Sequence, residues 1–174
     1  LVNRFQLLKP LGIEAINTQP KIYLTPQEID NSKHFLKNHN IDFTKPLFMI
    51  SVLGSGDNKT YPFPFMAKVI DFIVSQAAAQ ILFNYIPNQE SQAKEIYNLC
   101  SAKTQKHILF DVFGKDLREF LAITKHCDAL IGNEGGAVNM AKALEIKADF
   151  PKGNWMLANT LILKDADYVS KMNA

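Results

Sequence analysis

Residues 128–144 read DALIGNEGGAVNMAKAL, a pattern that predicts a short buried strand, a tight loop and a helix in direct succession. We expect the strand over residues 129–131, the loop over 132–136 and the helix from about Ala137. A glycine pair between a strand and a helix lets the backbone approach a ligand closely, because no Cβ stands in the way. The unpaired N–H groups and the positive dipole end of the helix favour phosphate or another anion there.

The chain before this stretch alternates strands and helices. Continuous apolar runs predict strands at 47–53, 80–86 and 107–113, with helices near 64–76, over 87–101 and after Asp116. This alternation predicts an α/β fold: a Rossmann-like parallel sheet with helices on both faces and right-handed crossovers. In such a sheet the loops at the carboxyl ends of the strands bind ligands. We therefore interpret residues 132–139 as holding the pyrophosphate or sugar end of a nucleotide-sugar, although a glycine pair is also often only a tight turn.

The two ends of the chain are less regular. Thr25 and Glu28 have the spacing of a capping box at the start of a helix, and residues 22–24 form a short apolar stretch that we consider as a strand. After Ile146 no strand pattern follows. The chain opens at Leu1 in a leucine-rich pattern typical of a helix end, so we expect it to belong to a longer polypeptide. We assign residues 1–46 to a connector with a first helical segment and residues 47–174 to a ligand-binding domain.

Composition restricts the class of protein. The chain has 174 residues, of which 47% are hydrophobic and 21% charged, as expected for a soluble globular domain. The formal net charge of +2 gives no reason to expect nucleic acid as a partner. There is no transmembrane segment and no signal peptide pattern. Cys100 and Cys127 predict neither a disulfide framework nor a zinc site, and we expect them to be small core residues of a reduced, cytoplasmic protein.

Another glycine loop occurs earlier in the chain, at residues 54–59 (GSGDNK), and it also follows a predicted strand and precedes a helix. It should therefore lie at the same edge of the sheet as residues 132–136. Ser55 offers a hydroxyl, Gly56 exposes its backbone N–H, and Lys59 is a point charge suited to phosphate. The spacing is not that of a P-loop, and Lys59 alone would be interpreted as a surface lysine.

Other candidate residues carry a weaker signal. Glu134 could accept hydrogen bonds from sugar or ribose hydroxyls, or could cap the helix, and Asn139 could face a ligand or pack passively. Trp155 could stack on a base, although a lone tryptophan is more often a core residue. None of the four histidines is placed as a catalytic base, and no spacing of metal ligands or of a Ser-His-Asp set occurs.

At these residues the chain resembles the C-terminal half of glycosyltransferase family 9, the heptosyltransferases of lipopolysaccharide synthesis. The first similar motif is VLGSGDNKTYP at residues 52–62, and the second is GNEGGAVNMAKAL at residues 132–144. The helix entry GKDLREFL at residues 114–121 is also similar. The resemblance covers about residues 47–146.

The resemblance implies one lobe of a two-lobed GT-B glycosyltransferase, which holds the nucleotide-sugar donor and acts on a lipopolysaccharide or polysaccharide acceptor. It implies no metal or other cofactor, and a cytoplasmic location that allows peripheral association with the inner face of the bacterial inner membrane. The catalytic residues are expected in an N-terminal lobe that we do not see in this chain, so the chain alone should be inactive. The donor-binding residues that we predict are Ser55, Gly56, Lys59, Glu134, Gly135, Gly136 and Asn139.

The chain departs from the family pattern at three positions. Glu134 replaces an aspartate, Gly135 a serine or threonine, and Asn139 a histidine. All three changes fall at the sugar end of the predicted site, which leaves the identity of the sugar open. Two alternatives therefore stand beside the donor lobe: a catalytically degenerate nucleotide-binding module, and another GT-B enzyme such as a nucleotide-sugar epimerase.

Overall fold

The computed structural model of the protein describes residues 10–12, 20–133 and 135–149. Within these ranges five strands form one sheet in the order β3-β2-β1-β4-β5, and every pair of neighbouring strands is parallel. The strands are Leu47–Ser51 (β1), Gln80–Asn84 (β2), Ile108–Leu109 (β3), Ala129–Gly132 (β4) and Lys147–Asp149 (β5). The predicted parallel α/β sheet is confirmed.

Helices lie between the strands along the chain. They are Pro26–Asn38 (α1), Phe63–Ala77 (α2), Glu90–Leu99 (α3), Ala102–Gln105 (α4), Leu117–Thr124 (α5) and Gly136–Ala143 (α6). Short 3₁₀ turns, Asp57–Lys59 and Pro87–Gln89, follow β1 and β2. The second of these turns leads directly into α3, so the helix that we predicted over residues 87–101 begins as a tighter turn.

The helices cover both faces of the sheet, because alternate residues of each strand point to opposite sides. Ile50 belongs to a core formed with α2 and α3, whereas Met49 belongs to a core formed with α1, α5 and α6. Side chains from the helices complete each core. The first core includes Met66, Ile70 and Ile96, and the second includes Leu36, Ile123, Val138 and Ala141.

Helix α1 begins at the predicted capping box. Glu28 N donates to Thr25 Oγ1 (3.2 Å), and Thr25 N donates to Glu28 Oε2 (2.7 Å). Arg118 of α5 donates to both carboxylate oxygens of Glu28 at 2.6 Å, and this contact holds the pKa of Glu28 at about 2. Helix α1 thus packs against α5 on the sheet, and the domain division after residue 46 stays a prediction.

Three predicted elements need correction. The third strand is limited to Ile108–Leu109, because Val112 N donates to Leu109 O (3.2 Å) and closes a turn; Phe110 and Val112 beyond it are buried as loop residues. Residues 22–24 form no strand. A strand does follow Ile146, since β5 pairs with β4 at the edge of the sheet, where charged residues are common and the apolar pattern is lost. The predicted helix end at residues 1–9 and everything after residue 149 lie outside the described residues.

No helix in the described ranges is both long and apolar enough to cross a membrane.

Candidate functional site

The candidate site lies where the direction of the sheet's connections reverses. From β1 the chain passes through α2 to β2 on one side, whereas β4, on the other side of β1, continues through α6 to β5. The connections that follow β1 and β4 therefore run to opposite sides at this point, and the space between the two strand ends, the crevice, is the usual ligand site of open parallel sheets. Ser51 at the end of β1 pairs with Gly132 at the end of β4, so the predicted convergence of the two glycine loops is confirmed.

The first glycine loop, residues 54–59, is held in one compact shape by its own backbone and by Thr60, the residue that follows it. Thr60 Oγ1 accepts a hydrogen bond from Gly54 N (3.0 Å) and donates to Gly56 O (2.9 Å). A Cβ at Gly54 would lie 2.2 Å from Lys59 O, so no larger residue fits while the loop keeps this fold. The close return of the chain at Lys59 is what requires glycine at position 54.

The predicted ligand-binding residues of this loop face solvent. Ser55, Gly56 and Lys59 are all exposed. Among the described residues, no carboxylate pairs with the Lys59 ammonium. The positive charge of this exposed lysine is suited to an anion.

The second glycine loop begins at Gly132, whose φ of +142° is a backbone conformation that only glycine adopts readily. A Cβ on this residue would lie 2.3 Å from Ser51 O. Asn133 then turns back toward β1. Its backbone N and its Nδ2 both donate to Ser51 O (3.1 and 3.0 Å), and its Oδ1 accepts from Tyr61 N (2.7 Å). The loop is thus fixed against the end of β1.

Helix α6 begins directly after this loop, with its N-terminus at the same edge of the sheet. Gly135 is the N-cap residue, and no side chain of the described residues caps the helix or places an acidic group in its first turn. A Cβ at Gly135 would meet no atom of the other described residues within 4 Å, its chain neighbours aside, so those residues leave space beside this backbone. Gly136 and Asn139 are exposed on the same turn. Free N–H groups and a positive dipole end are the features that bind phosphate.

Of the seven predicted site residues, six lie at this edge of the sheet. Glu134 lies outside the described residues. Ligand contact by any of the seven stays a prediction. The sequence interpretation did not assign a role to Asn133 and Thr60, which shape the two loops, or to Gln89, whose Nε2 donates to Gly54 O (3.1 Å). Each side chain has both a donor and an acceptor, but such residues are too common in loops to be singled out from the sequence.

Two cysteines and one histidine away from the glycine loops pack within the fold. Cys100 and Cys127 are buried free thiols, as predicted, and burial raises the pKa of Cys100 to about 12. His126 Nε2 lies 3.0 Å from both Ser32 Oγ and Ile29 O between α1 and α5, and burial lowers its pKa. Across the described ranges, no three His, Cys, Asp or Glu side chains come together as a metal site.

Comparison with known proteins places the chain in a family. Residues 2–148 match the family described as glycosyltransferase family 9 (heptosyltransferase), which is most of the chain. The chain belongs to glycosyltransferase family 9. The resemblance found at the two glycine motifs is therefore confirmed. No curated protein sequence matches the chain.

Solved structures of low sequence identity share the fold of this family 9 chain. The ADP-heptose lps heptosyltransferase II of E. coli has a TM-score of 0.67 at 14% identity, over 79% of this chain and 41% of that enzyme. A family 9 glycosyl transferase from Veillonella parvula has a TM-score of 0.70 at 17% identity, over 82% and 40%. The E. coli heptosyltransferase WaaC, solved with ADP-2-deoxy-2-fluoro heptose, has a TM-score of 0.56 at 16% identity, over 98% and 54%. The chain thus spans about half the length of these proteins or less.

Proposed function

We propose that this chain is the donor-binding lobe of a GT-B glycosyltransferase, which moves a sugar from a nucleoside diphosphate to a lipopolysaccharide or polysaccharide acceptor. The observation that supports this most is the meeting of two glycine loops at one edge of the sheet, where Lys59 belongs to one loop and the N-terminus of α6 follows the other. Both features favour a diphosphate, which carries charge along its length.

Each predicted residue has a place in this proposal. Ser55 and Gly56 offer a hydroxyl and an N–H to the diphosphate, and Lys59 neutralises its charge. The amides of Gly135 and Gly136 bind the same group from the other side, with the helix dipole behind them. When the sugar leaves, the negative charge that develops on the diphosphate is stabilised by these fixed donors, so the proposal needs no metal ion or other cofactor.

In this proposal, Glu134 and Asn139 contact the sugar of the nucleotide-sugar donor. A carboxylate and an amide can both hydrogen-bond sugar hydroxyls, but they differ from the family's aspartate and histidine in length and in donor capacity. The WaaC structures contain ADP and ADP-2-deoxy-2-fluoro heptose, and ADP is therefore the first nucleotide to test. The acceptor site and the base that activates it would belong to an N-terminal lobe, and the intact enzyme would work in the cytoplasm beside the inner membrane.

A thermal-shift screen with ADP, GDP, UDP and CDP tests this function. A ligand at a hundred times its Kd stabilises the folded chain by about 2.7 kcal/mol, which raises Tm by about 5–10 °C for a domain of this size. A shift with one diphosphate and none with its parent nucleoside supports the proposal. If none of the four nucleotides raises Tm above that of the ligand-free protein, for this chain and for the longer protein that contains it, the proposal is contradicted.

One specific observation favours a second candidate, a nucleotide-binding module without turnover. Gly135 and Asn139 lack the hydroxyl and the imidazole of the family pattern, yet the diphosphate-binding features of the backbone are intact. Such a protein would show the same thermal shift. It would not release free nucleoside diphosphate from a nucleotide-sugar in the presence of acceptor, and that assay separates the two candidates.

A further inference from the structure

The two glycine loops are joined by one buried side chain. Asn133 is 6% exposed, and its amide binds two backbone groups that belong to different segments. Nδ2 donates to Ser51 O at the end of β1, and Oδ1 accepts from Tyr61 N just after the first glycine loop. Asn133 itself belongs to the second glycine loop. One amide therefore connects the end of β1, the first loop and the second loop.

We propose that Asn133 is a positioning residue that sets the separation of the two glycine loops around the diphosphate, an inference that rests on the proposed function. The distances along the chain are short. Lys59 precedes Tyr61 by two residues, and Gly135 follows Asn133 by two. If the Asn133–Tyr61 hydrogen bond is lost or displaced, both Lys59 and Gly135 should therefore move, and with them both sides of the anion site.

The chemistry requires an amide at this position. The side chain donates to a carbonyl through one atom and accepts from an N–H through another, which the two heteroatoms of an asparagine amide allow at this length. Burial keeps water from replacing the lost partner in a shorter variant. In catalytic sites, a displacement of about 1 Å can lower the reaction rate by about a hundredfold.

Gln80 provides a matched control. It is also a buried amide, its Oε1 accepts from Asp42 N (2.8 Å) and its Nε2 donates to Asp42 O (2.8 Å). Gln80 is the first residue of β2, at the amino edge of the sheet and therefore opposite the glycine loops. Removing its side chain breaks the same two kinds of hydrogen bond without touching the candidate site.

The experiment compares Asn133→Ala and Gln80→Ala with the unmodified chain, and measures Tm together with the Kd of ADP and of inorganic pyrophosphate by calorimetry. We expect Asn133→Ala to raise both Kd values by about tenfold or more, and Gln80→Ala to change them by less than about twofold at a comparable loss of Tm. If Asn133→Ala does not fold, Asn133→Ser, whose hydroxyl retains one of the two bonds, is measured with the same expectation.

Two results would overturn the inference in different ways. If the unmodified chain binds ADP or pyrophosphate and the Asn133 variants bind them equally well, or lose no more affinity than Gln80→Ala, the loops do not depend on Asn133. If the unmodified chain binds neither probe, the proposed function fails, and the positioning role fails with it.

Discussion

The backbone N–H of Tyr61 donates a 2.7 Å hydrogen bond to Asn133 Oδ1, although 72 residues separate the two. This bond joins the segment that ends the first glycine loop to the start of the second. The crevice between β1 and β4 is therefore held in shape by hydrogen bonds, because Asn133 binds both the end of β1 and the segment that follows the first glycine loop.

Replacement of Lys59 by alanine should weaken ADP binding by about 1–3 kcal/mol, because a charged hydrogen-bond partner of the diphosphate is removed. The fold should be unchanged, since the Lys59 side chain is exposed. Calorimetric titration measures the effect. Lys68→Ala, an exposed lysine on α2 outside the loop, is the control and should bind ADP normally. Equal affinities for the two variants would make Lys59 an ordinary surface lysine.

The glycines of the second loop should differ sharply in their tolerance of a side chain. Gly132→Ala should lower the free energy of unfolding by about 2 kcal/mol or more, because φ is +142° and the new Cβ would lie 2.3 Å from Ser51 O. Gly135→Ser should leave it within about 1 kcal/mol, since serine is a good N-cap residue and the space is open. Urea unfolding distinguishes these outcomes, and similar losses for both variants would contradict the described loop geometry.

Thr60→Val should destabilise the chain by about 1–3 kcal/mol, although the two side chains have nearly the same shape. The hydroxyl is the acceptor for Gly54 N and the donor to Gly56 O, and valine leaves both without that partner. Thermal unfolding measures the loss. Thr60→Ser, which keeps the hydroxyl, should recover most of it, and a stable valine variant would show that these bonds contribute little to the loop.

Stability should fall as pH decreases below about 6.5, through His126. Burial lowers the pKa of this histidine in the folded chain below its ordinary value of 6.5. As pH falls through 6.5 the unfolded chain therefore takes up a proton that the folded chain does not, and the unfolded state is favoured. Unfolding followed between pH 5 and pH 8 should show this slope, and His126→Gln should reduce it. An unchanged slope in the variant would assign the pH dependence to other groups.

Much of the fold is predictable because its signals are local. The apolar runs at β1 and β2 and the caps at Thr25 and Asp116 act through neighbours in sequence, and each lies where the pattern predicts. The edges of the sheet are different. The strand β5 contains Lys147, and β3 ends in a backbone turn inside an apolar run, so burial and strand length no longer coincide there.

The site shows the same division. The glycine loops are visible in the sequence, and their meeting follows from the parallel topology. The sequence does not show why glycine is required at positions 54 and 132. The requirement comes from close contacts with Lys59 and Ser51 that exist only in the folded chain. The bond between Asn133 and Tyr61 likewise depends on the packing of β4 against β1, which a local pattern does not specify.

The most direct test of the proposed donor site is an amide NMR titration of the chain with ADP. We expect chemical-shift changes to concentrate in residues 54–60 and 135–139, on both sides of the crevice, and adenosine alone not to produce them. Changes confined to other surfaces, or no changes at millimolar ADP, would contradict the assignment of this crevice to a nucleoside diphosphate.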